Sequence, residues 1–330
     1  MMKERMMQLD EALLGSGNLR CIAPNRLYKK LSVAGIRTAS LRWQGVQLTL
    51  LHSPCPTGVP VLLLHGVTYS AASVFDLAVP GYERADFSTL LQLTWRGLDT
   101  WALDFAGYGL SGPRPYPDTE TINDYVAQVR AASIEIEART GVLPVLVGWS
   151  WGAQVASRFA GHYPKSCPGL VFWSGLWGGS GMINYMREVR FPKEVRRRNT
   201  PTHAAADFRT PVAYAPEVRT AFISHALSLD PTSPTTGLRE TVLNMPLHNP
   251  VNITCPVLAI HGELDPVVQI DDITDYVAAL ASPHKWHIRL PGADHNAQFG
   301  HDRNRLFDAI ADFCITHGYK HAAILPQDAI

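Results

Sequence analysis

The sequence lacks the charge imbalance and the long apolar runs that mark several large classes of protein. Its 330 residues include 29 basic and 29 acidic side chains, so the formal net charge is zero. A balanced charge gives no electrostatic reason to expect nucleic acid or an anionic membrane as a partner. No apolar run approaches the roughly 18–20 residues that a membrane span needs. We therefore expect a soluble protein that binds neither.

Cysteine is scarce, and the common metal and nucleotide motifs are missing. The five cysteines are widely spaced and form no C-x-x-C pair, which argues against a disulfide framework and a zinc cluster. There is no H-E-x-x-H, and no G-x-G-x-x-G opens a helix. The first ten residues are charged and lack a long apolar core, which is not typical of a secretory signal. We expect a cytoplasmic protein with no cofactor and no metal.

Short apolar runs alternate with helix-like runs over most of the chain, and this alternation indicates an α/β sheet. Six apolar runs are predicted to be strands: 59–64, 100–105, 142–149, 170–173, 257–260 and 287–290. The stretch at about 36–51 resembles a hairpin at a sheet edge. Apolar residues at the helical period predict three helices, at 121–140, 270–280 and 304–316. Gly141 and Gly318 are expected to end the first and the last of these helices.

The alternation stops at about residue 176 and resumes at about 250. The stretch between them is rich in prolines and charged residues, and we interpret it as a mainly helical insertion. It leaves from the carboxyl end of the strand at 170–173, so we expect a cap over that edge of the sheet. An inert surface decoration is the alternative. The predicted organisation is a core of 1–175 and 250–330 with a cap at 176–249, and residues 1–58 carry no functional signal.

The pentapeptide Gly148-Trp149-Ser150-Trp151-Gly152 follows a predicted strand and precedes a helix-like run. Strand, Gly-x-Ser-x-Gly and helix together are the context of a nucleophile elbow. The glycines allow the strand and the helix to close around a strained turn. The serine hydroxyl then points out of the sheet, beside helical N–H groups that stabilise an oxyanion. Without this context, such a pentapeptide is an ordinary tight turn.

A serine hydroxyl is a poor nucleophile until a base removes its proton. His295 follows the last predicted strand and is our candidate for that base. Asp265 follows the preceding strand and is the candidate acid that orients the imidazole, which gives the chain order Ser, Asp, His. Glu263 is the second choice. Asp294 adjoins His295 in sequence, so its carboxylate reaches the ring nitrogen with difficulty.

A tetrahedral intermediate needs two N–H donors for its oxyanion. One candidate is the backbone of Trp151, directly after the nucleophile. The other is the backbone of Val67, in the loop after the strand at 59–64. In that loop, Gly66 lets the backbone approach closely and His65 is expected to brace the turn.

These motifs, taken in order, resemble the α/β-hydrolase superfamily and its cap-bearing branch. The resemblance rests on His65-Gly66, the segment 104–111, the elbow at 148–152, Asp265 and His295, and it spans about 59–317. It implies an eight-stranded, mostly parallel sheet flanked by helices and a covalent acyl-enzyme mechanism. It also implies that the turn within 104–111 is structural. The long segment at 70–87 departs from the family pattern and is a candidate wall of the site.

A serine at the elbow makes epoxide opening and halide removal poor candidates, because relatives with those activities use an aspartate. The leading prediction is a carboxylic ester hydrolase acting on a small, apolar or aromatic ester. A carbon–carbon bond hydrolase or thioesterase with the same triad is the alternative within enzymes. A ligand-binding receptor on the same fold is the alternative outside them.

Two further patterns leave their interpretation open. Trp149 and Trp151 flank Ser150, while Trp173 and Trp177 precede the cap. Either they form an aromatic substrate wall or they pack in the core; Gly66, Trp149 and Trp177 are the candidate substrate contacts. The basic cluster at 193–198 is a solvated helix face or, alternatively, a contact for an anionic group on the substrate.

Overall fold

A computed structural model describes residues 27, 31–114, 120–178, 194–206 and 208–322 of the chain. The described strands are β1 Arg37–Trp43, β2 Val46–Ser53, β3 Val59–Leu64, β4 Leu98–Asp104, β5 Val145–Trp149, β6 Leu170–Trp173, β7 Arg196–Arg198, β8 Thr232–Pro234, β9 Val257–Gly262 and β10 Lys285–Leu290. The described α-helices are α1 Ala71–Phe75, α2 Thr89–Trp95, α3 Ile122–Thr140, α4 Trp151–His162, α5 Pro201–Ala205, α6 Pro216–Leu229, α7 Thr236–Asn244, α8 Ile270–Ala279 and α9 Arg303–Ala322.

Eight strands form one mixed sheet in the order β1-β2-β4-β3-β5-β6-β9-β10. The pairs β1–β2 and β2–β4 are antiparallel, and every other neighbouring pair in this sheet is parallel. The prediction of an eight-stranded, mostly parallel sheet with a hairpin at one edge is therefore confirmed. The six predicted strands correspond to β3, β4, β5, β6, β9 and β10.

The central strands are buried on both faces, as continuous apolar runs require. In β3, Val61 and Leu63 pack in one core cluster, whereas Leu62 and Leu64 pack in the other. Helices α2 and α9 contribute to the first cluster, and α3, α4 and α8 contribute to the second. The sheet is thus covered by helices on both sides.

The last helix is longer than the sequence predicts, and Gly318 does not end it. Helix α9 runs from Arg303 to Ala322. A Cβ at Gly318 would overlap the Cγ1 atom of Val59, so glycine here permits close packing of α9 on β3. Gly141 does end α3, with a φ of 74°.

The stretch 176–249 contains α5, α6 and α7 among its described residues. It also contains a two-stranded antiparallel ribbon, β7–β8, which the sequence analysis did not anticipate. Among the residues that the structure describes, no helix combines the length and the apolar character needed to cross a membrane.

Candidate active site

The candidate nucleophile lies on a strained turn between β5 and α4. Strand β5 ends at Trp149, and α4 begins at Trp151. Ser150 between them has φ 56° and ψ −121°. Such a conformation costs an L-residue about 1–3 kcal/mol and persists only where the surrounding packing enforces it.

The two elbow glycines allow this packing. A Cβ at Gly148 would lie 2.5 Å from the Cα atom of Ala153, on the first turn of α4. A Cβ at Gly152 would lie 2.7 Å from the carbonyl oxygen of His65, just after β3. Any larger residue at either position would push α4 away from the sheet and release the turn.

The structure brings Ser150, His295 and Asp265 together at one edge of the sheet. They follow β5, β10 and β9, whose carboxyl ends share that edge because the strands are parallel. Nδ1 of His295 donates to Oδ2 of Asp265 at 2.9 Å. Oγ of Ser150 donates to Nε2 of His295 at 3.1 Å. This geometry can transfer the serine proton to the imidazole.

Asp265 is held in its ionised form. Oδ1 of this carboxylate accepts hydrogen bonds from the backbone N–H groups of Val267 at 2.8 Å and Val268 at 3.1 Å. Burial acts to raise the pKa of Asp265, but the charge and hydrogen bond of His295 and these two N–H groups outweigh it, so the pKa is lowered. An ionised carboxylate at this position can stabilise a protonated imidazole on His295.

The two alternative candidates for the orienting acid, Glu263 and Asp294, form hydrogen bonds with groups other than the imidazole of His295. Glu263 pairs with Arg289 at 3.3 Å on the surface. Asp294 accepts a hydrogen bond from the backbone N–H of His295 with one oxygen and from that of Thr210 at 2.9 Å with the other. Asp294 therefore links the loop that carries His295 to the segment 176–249, which the sequence analysis did not anticipate.

The loop after β3 lies against the nucleophile. A Cβ at Gly66 would lie 2.9 Å from the indole ring of Trp149 and 3.5 Å from the Cβ atom of Ser150. A larger residue would therefore occupy the space directly beside the serine. The loop is thus positioned to place its next N–H groups near a carbonyl under attack.

His65 and Tyr108 hold this loop in place. Nε2 of His65 accepts from the backbone N–H of Phe105 at 3.2 Å, and Nδ1 donates to the carbonyl oxygen of Gly66 at 2.8 Å. Burial lowers the pKa of His65 to about 4, so its ring is neutral at pH 7. The hydroxyl of Tyr108 donates to the carbonyl oxygen of Val67 at 2.8 Å. Sequence analysis missed this role of Tyr108, although the residue lies within the 104–111 motif.

The two candidate oxyanion donors lie under the segment 176–249. Trp151 opens α4, where backbone N–H groups have no intrahelical acceptor. Among the described residues, none accepts a hydrogen bond from the N–H of Val67. A Cβ at Gly237 of α7 would lie 2.8 Å from the Trp151 ring and 3.0 Å from the Val67 side chain. Helix α7 therefore packs directly onto both residues.

The candidate substrate contacts Trp149 and Trp177 have different surroundings. The indole N–H of Trp149 donates to the carbonyl oxygen of His295 at 3.1 Å, and only 5% of the residue is exposed. Trp177 lines a cavity of about 430 Å³ together with Arg158 and His248. Trp149 thus braces the loop of the base, and a substrate contact of either tryptophan stays a prediction.

The other two tryptophans considered for an aromatic substrate wall, Trp151 and Trp173, are buried in the hydrophobic core. Trp151 packs edge-on against Tyr125 and Phe105, at centroid distances of 4.6 and 5.5 Å. Trp173 is fully buried. These contacts favour the packing interpretation over an aromatic substrate wall.

Further contacts tie the segment 176–249 to the edge of the sheet. Nη2 of Arg197 donates to Oγ1 of Thr68 at 2.6 Å. One carboxylate oxygen of Asp230 accepts from the backbone of Ser70 at 2.9 Å and from the hydroxyl of Ser73 at 2.5 Å. In the sequence, Arg197 stood out only as part of the basic cluster at 193–198, and no motif indicated a role for Asp230.

Comparisons with known proteins bear on the family and the fold of this chain. The model of the alpha/beta hydrolase family matches residues 61–309. A serine hydrolase-like protein of Danio rerio is 34% identical over 114 residues, which cover 34% of this chain and 30% of that protein. The match thus spans less than a third of that relative.

Solved structures share the fold at low sequence identity. A thermophilic esterase from Thermogutta terrifontis is 20% identical with a TM-score of 0.62, covering 86% of this chain and 99% of that one. A putative aryl esterase from Burkholderia cenocepacia is 17% identical with a TM-score of 0.62, covering 85% of this chain and 99% of that one. A thioesterase domain from the curacin biosynthetic pathway is 16% identical with a TM-score of 0.58, covering 85% and 99%.

Proposed function

This chain belongs to the alpha/beta hydrolase family, and from that premise we propose that it is a serine hydrolase that cleaves a carboxylic ester. The observation that carries the proposal is the continuous hydrogen-bonded chain from Asp265 through His295 to Ser150, with distances of 2.9 and 3.1 Å. The strained backbone of Ser150 supports it, because strain of this kind clusters at functional sites.

In the first half of the proposed reaction, Oγ of Ser150 attacks the ester carbonyl while Nε2 of His295 takes the hydroxyl proton. The carbonyl oxygen becomes an oxyanion and accepts hydrogen bonds from the backbone N–H groups of Trp151 and Val67. When the intermediate collapses, the C–O bond to the alcohol breaks. His295 gives its proton to the departing alkoxide, and the acyl group stays on Ser150.

In the second half, water attacks the acyl carbon and His295 takes one of its protons. Collapse of the second intermediate releases the carboxylic acid and returns the proton to Oγ of Ser150. Asp265 stays ionised throughout and fixes the imidazole with Nδ1 protonated. We further propose that residues 176–249 form the cap, since α7 packs on Trp151 and Val67 and limits access to the site.

A fluorophosphonate probe tests the nucleophile directly. The wild-type protein should be labelled on Ser150, and Ser150→Ala should abolish labelling and lower kcat by on the order of 10⁶. The half-buried Ser166 offers a matched control, so Ser166→Ala should label like the wild type. Absence of labelling in the wild-type protein would favour a ligand-binding receptor instead.

Matched substrates separate the reaction classes that share this triad. An alkyl ester, the corresponding acyl thioester and a 1,3-diketone of similar size should be compared by kcat/KM. We expect the ester to be the best of the three, and an apolar or aromatic group on it to be tolerated. A preference for the thioester or the diketone would favour the thioesterase or the carbon–carbon bond hydrolase.

A further inference from the structure

We infer that Arg197 forms an anion subsite beside the oxyanion loop, so that the preferred ester carries a carboxylate group. The inference rests on the proposed serine hydrolase function and narrows its substrate class. Its basis is a partly buried guanidinium that contacts the loop of Val67 from strand β7 and that has no carboxylate partner among the described residues.

The position of Arg197 is fixed by its contact with the core. Nη2 of Arg197 donates to Oγ1 of Thr68 at 2.6 Å. Thr68 directly follows Val67, the candidate oxyanion donor, and lies two residues beyond Gly66. A Cβ at Gly66 would be 3.5 Å from the Cβ atom of Ser150. Since two residues span at most about 7 Å of chain, the Arg197 guanidinium lies on the loop that also carries Gly66 and Val67 beside Ser150.

The charge of Arg197 also acts on Tyr108, which contacts the same loop. Tyr108, which holds the Val67 carbonyl, has its pKa raised by burial and by the charges of Glu120 and Asp230, whereas the charges of Arg196 and Arg197 act in the opposite direction. The positive charge of Arg197 is thus felt at the residue that positions the oxyanion loop.

In the part of the chain that the structure describes, no carboxylate pairs with the guanidinium of Arg197. None of the ion pairs within 4.0 Å among the described residues involves Arg197, and its hydrogen bond goes to the neutral hydroxyl of Thr68. Its neighbour Arg196, in contrast, is used structurally, since it donates to the carbonyl oxygens of Gly107 and Thr232. A guanidinium has five N–H donors, so Arg197 has donors left for a ligand.

The chemistry of this donor set favours a carboxylate. The planar fork of a guanidinium matches the two oxygens of a carboxylate, and charge-assisted hydrogen bonds of this kind are the strong ones. The scissile ester itself is neutral, so the anion belongs to another part of the substrate. The simplest compound that carries both an ester and a carboxylate is a hemiester of a dicarboxylic acid.

The test compares monomethyl glutarate with methyl pentanoate, a neutral ester of similar length, in wild-type protein and two variants. Arg197→Met keeps an unbranched apolar side chain and removes the charge. We expect it to lower kcat/KM for the hemiester about tenfold to a hundredfold, and for the neutral ester by less than about threefold. Arg198→Met changes the exposed neighbour on the same strand and should leave both values near wild type.

Three outcomes would overturn the inference. An equal loss for both esters in Arg197→Met would mean that Arg197 only ties the cap to Thr68. An unchanged hemiester rate would mean that it contacts no substrate anion. A wild-type protein that prefers methyl pentanoate would have no anion subsite.

The same experiment distinguishes failure of the proposed hydrolase function from failure of the proposed anion subsite. If fluorophosphonate labels Ser150 in all three proteins and methyl pentanoate is hydrolysed, the catalytic machinery is intact and the result concerns Arg197 alone. If Ser150 is not labelled and neither ester is cleaved, the hydrolase proposal falls, and the subsite falls with it. Arg197→Lys provides a check on geometry, because it keeps the charge but loses the fork and should recover only part of the hemiester rate.

Discussion

At the scale of single residues, the backbone of Ser150 and the proton positions on two histidines define the site. The positive φ of Ser150 turns its hydroxyl out of the sheet towards His295. Asp265 fixes the tautomer of His295, while the Phe105 N–H and the Gly66 carbonyl fix that of His65. Each ring is thereby held in one state, as the proposed proton transfer and the proposed oxyanion loop require.

Asp265→Asn should remove most of the activity while leaving the fold intact. An amide at this position no longer selects the tautomer in which Nε2 accepts the serine proton, and kcat should fall by about 10⁴. Steady-state kinetics with methyl pentanoate measures the change in kcat. The control is Glu263→Gln, which alters an exposed ion pair and should change kcat little. If Glu263→Gln is the more damaging change, Glu263 is the orienting acid.

His65→Gln should reduce the loss of folding stability between pH 7 and pH 4. Because burial lowers the pKa of His65 from 6.5 to about 4, the folded state favours the neutral ring. The neutral ring therefore contributes about 3 kcal/mol to the free energy of unfolding. This stabilisation is fully present above pH 6.5 and is lost as the pH falls through about 4. Urea unfolding at pH 7 and pH 4 should show a smaller acid loss in the variant.

The exposed His203 supplies the control for this experiment. His203→Gln should show the same acid loss as the wild type. An identical acid loss in His65→Gln would contradict the assignment of a neutral, buried His65.

At the scale of secondary-structure elements, close packing against the sheet explains where glycines stand. Gly152 lets α4 approach the end of β3, and Gly318 lets α9 approach Val59. The sequence predicted the first role, because the glycine belongs to a motif with a known geometry. It did not predict the second. A glycine near the end of a helix-like apolar pattern can either end the helix or allow the helix to pack closely on a neighbour, and the pattern does not distinguish the two. That difference depends on a tertiary neighbour, Val59.

Gly318→Ala should destabilise the fold although alanine favours helices. The added Cβ would overlap Val59, and overpacking of this kind costs about 1–3 kcal/mol. In α4, a Cβ at Gly161 would lie 3.4 Å from the Cβ atom of Asn252, which is ordinary contact. Gly161→Ala should therefore be neutral or stabilise by up to about 1 kcal/mol. Urea midpoints of the two variants measure the difference, and equal shifts would refute the packing argument.

At the scale of the whole molecule, buried polar contacts fasten residues 176–249 to the core. Asp230, at the end of α6, accepts hydrogen bonds from Ser70 and Ser73 at the start of α1. Asp294 joins Thr210 to the loop of His295. Sequence reasoning predicted that the cap covers this edge, because parallel strands fix where the insertion leaves the sheet. The ribbon β7–β8 and these anchors depend on contacts between distant segments, which periodicity does not encode.

Asp230→Ala should loosen this attachment. It leaves three buried donors on Ser70 and Ser73 without an acceptor, which we expect to cost roughly 2–4 kcal/mol. Hydrogen exchange should accelerate in α1 and α6 more than in β3 or β5. Asp302→Ala at the surface is the matched control and should leave exchange unchanged. Uniform acceleration throughout the chain would mean that Asp230 supports global stability and not the cap in particular.

The central claim is that Ser150 carries an acyl group during turnover. Rapid acid quench of the wild-type protein with p-nitrophenyl pentanoate, followed by peptide mass spectrometry, measures this most directly. The account predicts a pentanoyl mass increment on the peptide that contains Ser150, formed in a burst and absent in Ser150→Ala. Turnover at the wild-type rate by Ser150→Ala, or an acyl group on another residue, would contradict it.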